Sequence, residues 1–279
     1  KNLFTGWVDV ALNDLGMTYD DLPVITPEDG MRSASAECRR IADLVGVDVP
    51  VLDGAPTYLT GPGVPVRSDA VEHLIELARQ DREDPLYVLG MGCATNLASA
   101  LLLAPDIVDR VAVIWTAAYP TFWPLPNASF NLVQDLPAAR HLLASGVAHV
   151  YLPGYYVGEA LRTSLPELEA RVRGRGPIGD YLYDISATSL HLGSGPGRSK
   201  VMWDLINVAW CLEPDWLTKH LVPTPGRDED LRWTAGSGVL SREATAVPGA
   251  QVFLDLLRGV WGEAGAESVE GGSTSPGGG

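Results

Sequence analysis

Tyr119, Phe122, Trp123, Asn127 and Phe130 all fall in one stretch, residues 117–131, directly after an apolar β-branched run. A loop this long and this rich in rings can wall an apolar pocket and offer it a few polar groups. It can equally be a surface loop packed by its own aromatics, and the residue types leave both readings open. Two further segments follow strand-like runs in the same way, residues 92–96 and 153–158. In open parallel sheets, ligands bind beyond the carboxyl ends of the strands, so these three segments are the places to look for a site.

Other chemistries find little support. Gly90 and Gly92 begin a dinucleotide-type glycine pattern, but Thr95 stands where the third glycine belongs and no acidic residue closes the next strand. No G-x-S-x-G nucleophile elbow occurs. His73 and His141 lie in helical patterns, His149 in a strand, and His191 and His220 in expected loops; none has metal-ligand spacing. Cys38, Cys93 and Cys211 match no disulfide framework, and their apolar neighbours suggest core thiols.

The elements that must position the three segments are legible between residues 84 and 153. Residues 86–90 (LYVLG), 111–116 (VAVIWT) and 147–152 (VAHVYL) are strand-length apolar runs, separated by helical patterns at 96–104 and 137–145. Such alternation predicts an α/β fold, with an open, mostly parallel sheet flanked by helices. Upstream, residues 68–80 set Val71, Leu74, Ile75 and Ala78 on one helical face behind Ser68 as N-cap. Downstream, Ser164 and Glu167 have capping-box spacing with Pro166 in the first turn, and residues 204–212 form an apolar helix stopped at Pro214. The expected organisation is an atypical segment at 1–22, a domain at 23–261 and a disordered Gly/Ser-rich tail at 262–279.

The chain has 279 residues, 46% of them hydrophobic, enough for a substantial core. Thirty-five acidic against 20 basic residues give a formal net charge of -15, which disfavours nucleic acid and anionic membranes as partners. No run has the roughly 18 apolar residues of a membrane span. A cytoplasmic protein with a small-molecule ligand is expected.

Several segments together resemble the nucleoside hydrolase family. They are residues 50–55 (PVLDGA), 89–96 (LGMGCATN), 130–140 (FNLVQDLPAAR), 163–168 (TSLPEL), 179–183 (GDYLY) and 201–214 (VMWDLINVAWCLEP). Each is modest alone, but they follow the family order over about residues 23 to 235. The resemblance implies hydrolysis of the N-glycosidic bond of ribonucleosides in purine and pyrimidine salvage, by a Ca²⁺-activated water through an oxocarbenium-like transition state. It implies Asp204 and the backbone carbonyl of Thr95 as calcium ligands, Asn131 and Asn127 as ribose partners, and Trp123 and Trp203 as lining of the base pocket. It also implies a homo-oligomer. Asp135 is expected to order its own loop, while Thr95, Asn96 and Asp204 also suit helix N-caps.

The family's opening Asp-x-Asp strand has no match here, since Asp9, Asp20 and Asp21 are wrongly spaced for it. Ser129 stands where the family usually has a ribose-binding Glu, and Trp203 where many members have a His acting as leaving-group acid. The identity of the catalytic base is therefore left unassigned. The alternative implied is a catalytically impaired or truncated relative that keeps the scaffold and binds ligand weakly or not at all.

Overall fold

The computed structural model describes residues 25–188, 198–236 and 238–261. The segments expected to be atypical (1–22) and disordered (262–279) lie outside the described residues. Helix α1 (Pro27–Val45) begins on Thr26, whose side chain accepts from the Asp29 amide, and ends on Gly46 in the left-handed conformation. Helix α2 (Asp69–Arg79) starts where the sequence predicts it, with the Ser68 hydroxyl accepting from the Val71 amide. The βαβ core follows: β1 (Leu86–Met91), α3 (Thr95–Leu103), β2 (Val111–Ala117), a short α4 (Phe130–Val133), α5 (Leu136–Ala144) and β3 (Ala148–Pro153).

Beyond β3 come β4 (Arg162–Ser164), α6 (Leu165–Arg171), α7 (Gly176–Ala187), β5 (Ser199–Val201) and α8 (Leu205–Leu212). The Ser164–Glu167 capping box forms at the start of α6. Then follow β6 (Thr218–Pro223), β7 (Gly226–Arg227), β8 (Trp233–Thr234), β9 (Leu240–Ala246) and α9 (Gly249–Trp261). The main sheet has the order β1-β2-β3-β9-β6. Its first four strands are parallel, and β6 closes it antiparallel to β9, with a register shift at Thr218/Lys219. The expected open, mostly parallel α/β architecture is what forms.

Burial explains why the central runs read as continuous apolar strands. All of β2 is buried, because helices cover both of its faces. On one face α2, α3 and α5 pack over Val113, Trp115 and Tyr151. On the other, α8 and α9 pack over Ile114, Leu152 and Ala244. Each large side chain removed from water in this way contributes about 1.5–3 kcal/mol before conformational entropy is subtracted. Helices α1 and α7 lie against one another at the periphery, where Arg40 sits over the Tyr181 ring and the Tyr181 hydroxyl donates to Glu37.

Two expectations change. Cys38 and Cys211 are exposed rather than core thiols, and Cys93 is half-buried. His220 lies on β6 rather than in a loop. Strands β6 and β9 carried no periodic signal: β9 reads LSREATA, with Glu and Ser turned inward. Among the described residues, no helix is long and apolar enough to cross a membrane.

Candidate active site

Two of the three segments at the strand ends, residues 117–131 and 153–158, meet. Just past β2, Ala118 adopts a left-handed conformation (φ 56°), which costs an alanine roughly 1 kcal/mol and turns the chain sharply. Its carbonyl then accepts from the amides of Gly154 (3.1 Å) and Tyr155 (3.3 Å). The segment after β2 is thereby tied to the segment after β3. Tyr156, another non-glycine residue with positive φ (67°), keeps that second loop turned toward the first. Such strain persists where surrounding contacts over-determine it, and it gathers at functional sites.

Four rings of these loops, Tyr119, Trp123, Tyr155 and Tyr156, form one continuous cluster with Trp203, whereas Phe122 stays exposed. Tyr119 stacks on Trp123 (5.0 Å between centroids, 17° between planes) and on Tyr155 (4.3 Å, 13°). Tyr156 lies against Trp123 at 5.2 Å, and Tyr155 against Trp203 at 5.3 Å. Trp123 and Trp203, 80 residues apart in number and both expected at a base pocket, are thus joined through Tyr119 and Tyr155. Burial raises the Tyr119 phenol above its ordinary value, with Tyr156 and Glu159 acting in the same direction. Of the two linking tyrosines, Tyr119 is among the rings the sequence offers for a pocket wall, while Tyr155 is marked only through its segment, residues 153–158.

Asp204 immediately precedes α8 and occupies its N-cap position, yet its side chain does not cap the helix. One turn on, the buried Asn207 donates through Nδ2 to the carbonyls of Gly90 (3.2 Å) and Ile114 (3.0 Å), and the Thr116 hydroxyl donates to its Oδ1. Those bonds hold the first turn of α8 to the carboxyl-terminal halves of β1 and β2. Asn131 lies nearby in the chain of contacts, its Nδ2 donating to the Thr116 carbonyl at 2.9 Å, which fixes the orientation of the amide.

Thr95 and Asn127 are placed differently. Thr95 opens α3 and is buried; its hydroxyl donates to Asp135 Oδ2 at 2.6 Å. The cap position itself is Ala94, so neither Thr95 nor Asn96 caps the helix; Asn96 instead accepts from the Ala55 amide at 2.8 Å. Asp135 orders its surroundings as expected, accepting also from the Leu59 amide and, through Oδ1, from Ala138 at the start of α5. Because α3 and α8 pack on opposite faces of the sheet, Thr95 and Asp204 approach its carboxyl end from opposite sides. Asn127 is fully buried beneath its loop. Its amide nitrogen donates to Leu231, its carbonyl accepts from Arg227 at 2.7 Å, and its Nδ2 has no partner, like the buried Ser129 hydroxyl. Arg227, stacked under Trp233 at 4.5 Å, has its pKa lowered to about 10 by burial.

The sequence offered no sign of Glu243. It is fully buried on β9, where Oε1 accepts from the Thr121 amide and Oε2 from the Thr121 hydroxyl, both at 2.7 Å, and His220 Nε2 lies 2.8 Å from Oε2. Among the described residues, no group of three or more His, Cys, Asp or Glu side chains is gathered as a metal cage would need. Asp9, Asp20 and Asp21 lie outside the described residues.

Comparison with known proteins agrees with this architecture. The family model described as inosine-uridine preferring nucleoside hydrolase matches residues 24–252, beyond the extent read from motifs, so that β9 and Glu243 fall within it. A non-specific ribonucleoside hydrolase, RihC, of Salmonella schwarzengrund is 26% identical, with 85% of each chain covered. Among solved structures, the purine-preferring ribonucleoside hydrolase from Gardnerella vaginalis superposes with a TM-score of 0.66 at 20% identity, covering 85% of this chain and 86% of that one. The plant nucleoside hydrolase PpNRh1 does so with 0.65 at 19% identity, covering 84% and 86%. At those identities the structural likeness speaks for the fold, and the family model speaks for kinship. With its parallel sheet and its strand-end loops matched through the same span, the chain belongs to the inosine-uridine preferring nucleoside hydrolase family.

Proposed function

We propose that this protein hydrolyses the N-glycosidic bond of ribonucleosides, with the aromatic cluster receiving the base and the Asn131–Asp204 side of the cleft receiving the ribose. The observation that carries this reading is the run of rings from Trp123 through Tyr119 and Tyr155 to Trp203, which ends beside Asp204 at the start of α8. Stacked rings accept the face of any nucleobase, and the base, leaving with the bonding electron pair as its anion or as the neutral heterocycle once protonated by solvent, gains from that contact. Asn131, its amide held by Thr116, presents a fixed polar group toward a sugar hydroxyl. The unpartnered Asn127 Nδ2 and Ser129 hydroxyl stand four and two residues before it in the extended lead-in to α4, and a ribose hydroxyl admitted to this buried segment would pair donors that are costly to leave buried and unpaired. These groups favour an oxocarbenium-like ribosyl by holding it in place while water is kept from the base side.

Members of this family generally bind a metal ion. The Asp204 carboxylate and the Thr95 carbonyl are oxygen donors, as a hard cation such as Ca²⁺ requires, but two donors fall short of the six to eight that Ca²⁺ takes. The described residues do not fit a calcium site by themselves, and carboxylates from elsewhere would have to complete it. When bound, Ca²⁺ would lower the pKa of a water. The same shortage favours the second reading, a relative that keeps the scaffold and binds nucleosides without turnover.

One experiment separates the two. Inosine and uridine are incubated with the protein, with and without EDTA, and free base is measured by chromatography, alongside a calcium titration of wild type and Asp204→Ala by calorimetry. Base release that EDTA abolishes, with calcium binding lost in the variant, supports the hydrolase. A nucleoside-dependent rise in Tm without base release supports the scaffold reading, and no response to nucleoside or calcium removes both.

A further inference from the structure

We infer that Tyr151 and Glu243 are a pair of positioning residues that fix the aromatic wall from beneath. They are register partners on the adjacent parallel strands β3 and β9, and both are buried. Each reaches up to the same loop. The Tyr151 hydroxyl donates to the Tyr119 carbonyl at 2.5 Å. The Glu243 carboxylate accepts from both the amide and the hydroxyl of Thr121, so that it sets the rotation as well as the place of that residue. Residues 119 and 121 are therefore held at fixed points on the sheet, and the Tyr119 ring between Trp123 and Tyr155 is held with them.

Burying a carboxylate is expensive, and stability alone would be served as well by an apolar side chain of similar size. What an apolar residue cannot supply is two directed acceptors on one loop residue. The third contact of Glu243, from His220 Nε2, comes from β6 on the half-exposed side and leaves both Thr121 bonds in place. Burial, with Glu243 next in effect, holds the Tyr151 phenol well above its ordinary value, so its hydroxyl stays protonated as the donor to Tyr119. The role assigned to the wall as a base site rests on the proposed nucleoside reading; that the wall is held in this way does not.

The test uses Glu243→Leu, Tyr151→Phe and, as conservative rescue, Glu243→Gln, which keeps an acceptor for Thr121. The near-UV circular dichroism of the Tyr119–Trp123 stack is defined as the difference between wild type and Trp123→Phe. Glu243→Leu and Tyr151→Phe should each lose half or more of that signal with unchanged far-UV spectra, and Glu243→Gln should retain it. With inosine or uridine, KM should rise about tenfold in the two breaking variants, the loss of roughly one hydrogen bond, while kcat changes far less. A stack signal intact in both breaking variants, or lost equally in Glu243→Gln, overturns the inference. If the signal follows the pattern but the wild type neither binds nor cleaves nucleosides, the positioning role stands and the nucleoside reading falls.

Discussion

The hydroxyl of Thr95, at the start of α3, and the carboxylate of Asp135, at the start of α5, meet 2.6 Å apart in a fully covered site. Asp135 also accepts the Leu59 and Ala138 amides, so one carboxylate caps a helix, anchors a loop and fixes the turn after β1. Asp135→Ala leaves three buried donors without their acceptor and should cost about 3 kcal/mol or more. Thr95→Val should cost only about 1–2 kcal/mol, since it removes the donor rather than stranding several. Urea unfolding of both variants measures the difference; equal losses would mean the carboxylate is not the hub.

Asn207 joins α8 to β1 and β2 through the Gly90 and Ile114 carbonyls. Asn207→Ala removes two donors from buried carbonyls and leaves a gap, at about 2–4 kcal/mol. On the proposed function, affinity for the ribose should weaken along with stability, because Asp204 is one turn away. Retained stability on urea unfolding would contradict the assigned link.

Burial holds His149 at a pKa of about 4, against an ordinary 6.5. Its Nδ1 lies 3.1 Å from the Ser241 hydroxyl, and its buried Nε2 has no partner to share a charge. The unfolded chain therefore binds the extra proton first. The contribution of this group to stability falls as pH drops from about 6.5 to about 4, by on the order of 3 kcal/mol, and changes no further below that. Comparing unfolding free energies of wild type and His149→Gln across pH 4 to 7 should show the variant with the shallower slope. Parallel slopes would refute it.

A Cβ built on Gly249 would stand 1.9 Å from the Ala160 carbonyl oxygen, where neither backbone can yield cheaply. Gly249→Ala should displace the start of α9, whose Val252 and Leu256 fill the core opposite Leu161, and lower stability by about 2–4 kcal/mol. A thermal melt unchanged from wild type would show that α9 is not seated there.

At the candidate site, Trp203→Ala removes the last ring of the aromatic run, the one that touches Tyr155 and packs over Gly154. On the proposed function, nucleoside binding should weaken about tenfold or more, the worth of one aromatic contact, with little loss of stability. Trp203→Phe should recover part of it. Calorimetry with inosine decides, and an unaltered Kd for Trp203→Ala would move the base pocket elsewhere.

What the sequence determined by itself was local and periodic. The apolar runs ending at Gly90, Thr116 and Leu152 became parallel strands, the middle one buried throughout, Ser68 and Ser164 capped the helices they precede, and the order of motifs revealed the family. Each signal depends on neighbours a few residues apart, which is why it can be read from one dimension. The tertiary structure alone decided the rest. It turned inward the polar residues of β9, placed Glu243 under Thr121 from 122 residues away, and strung Tyr119 and Tyr155 between two distant tryptophans. It also buried Asn127 and sent Thr95 to Asp135. No periodicity marks such choices, because a buried carboxylate or a linking ring is selected by what lies across the sheet, and that proximity exists only once the strands have paired.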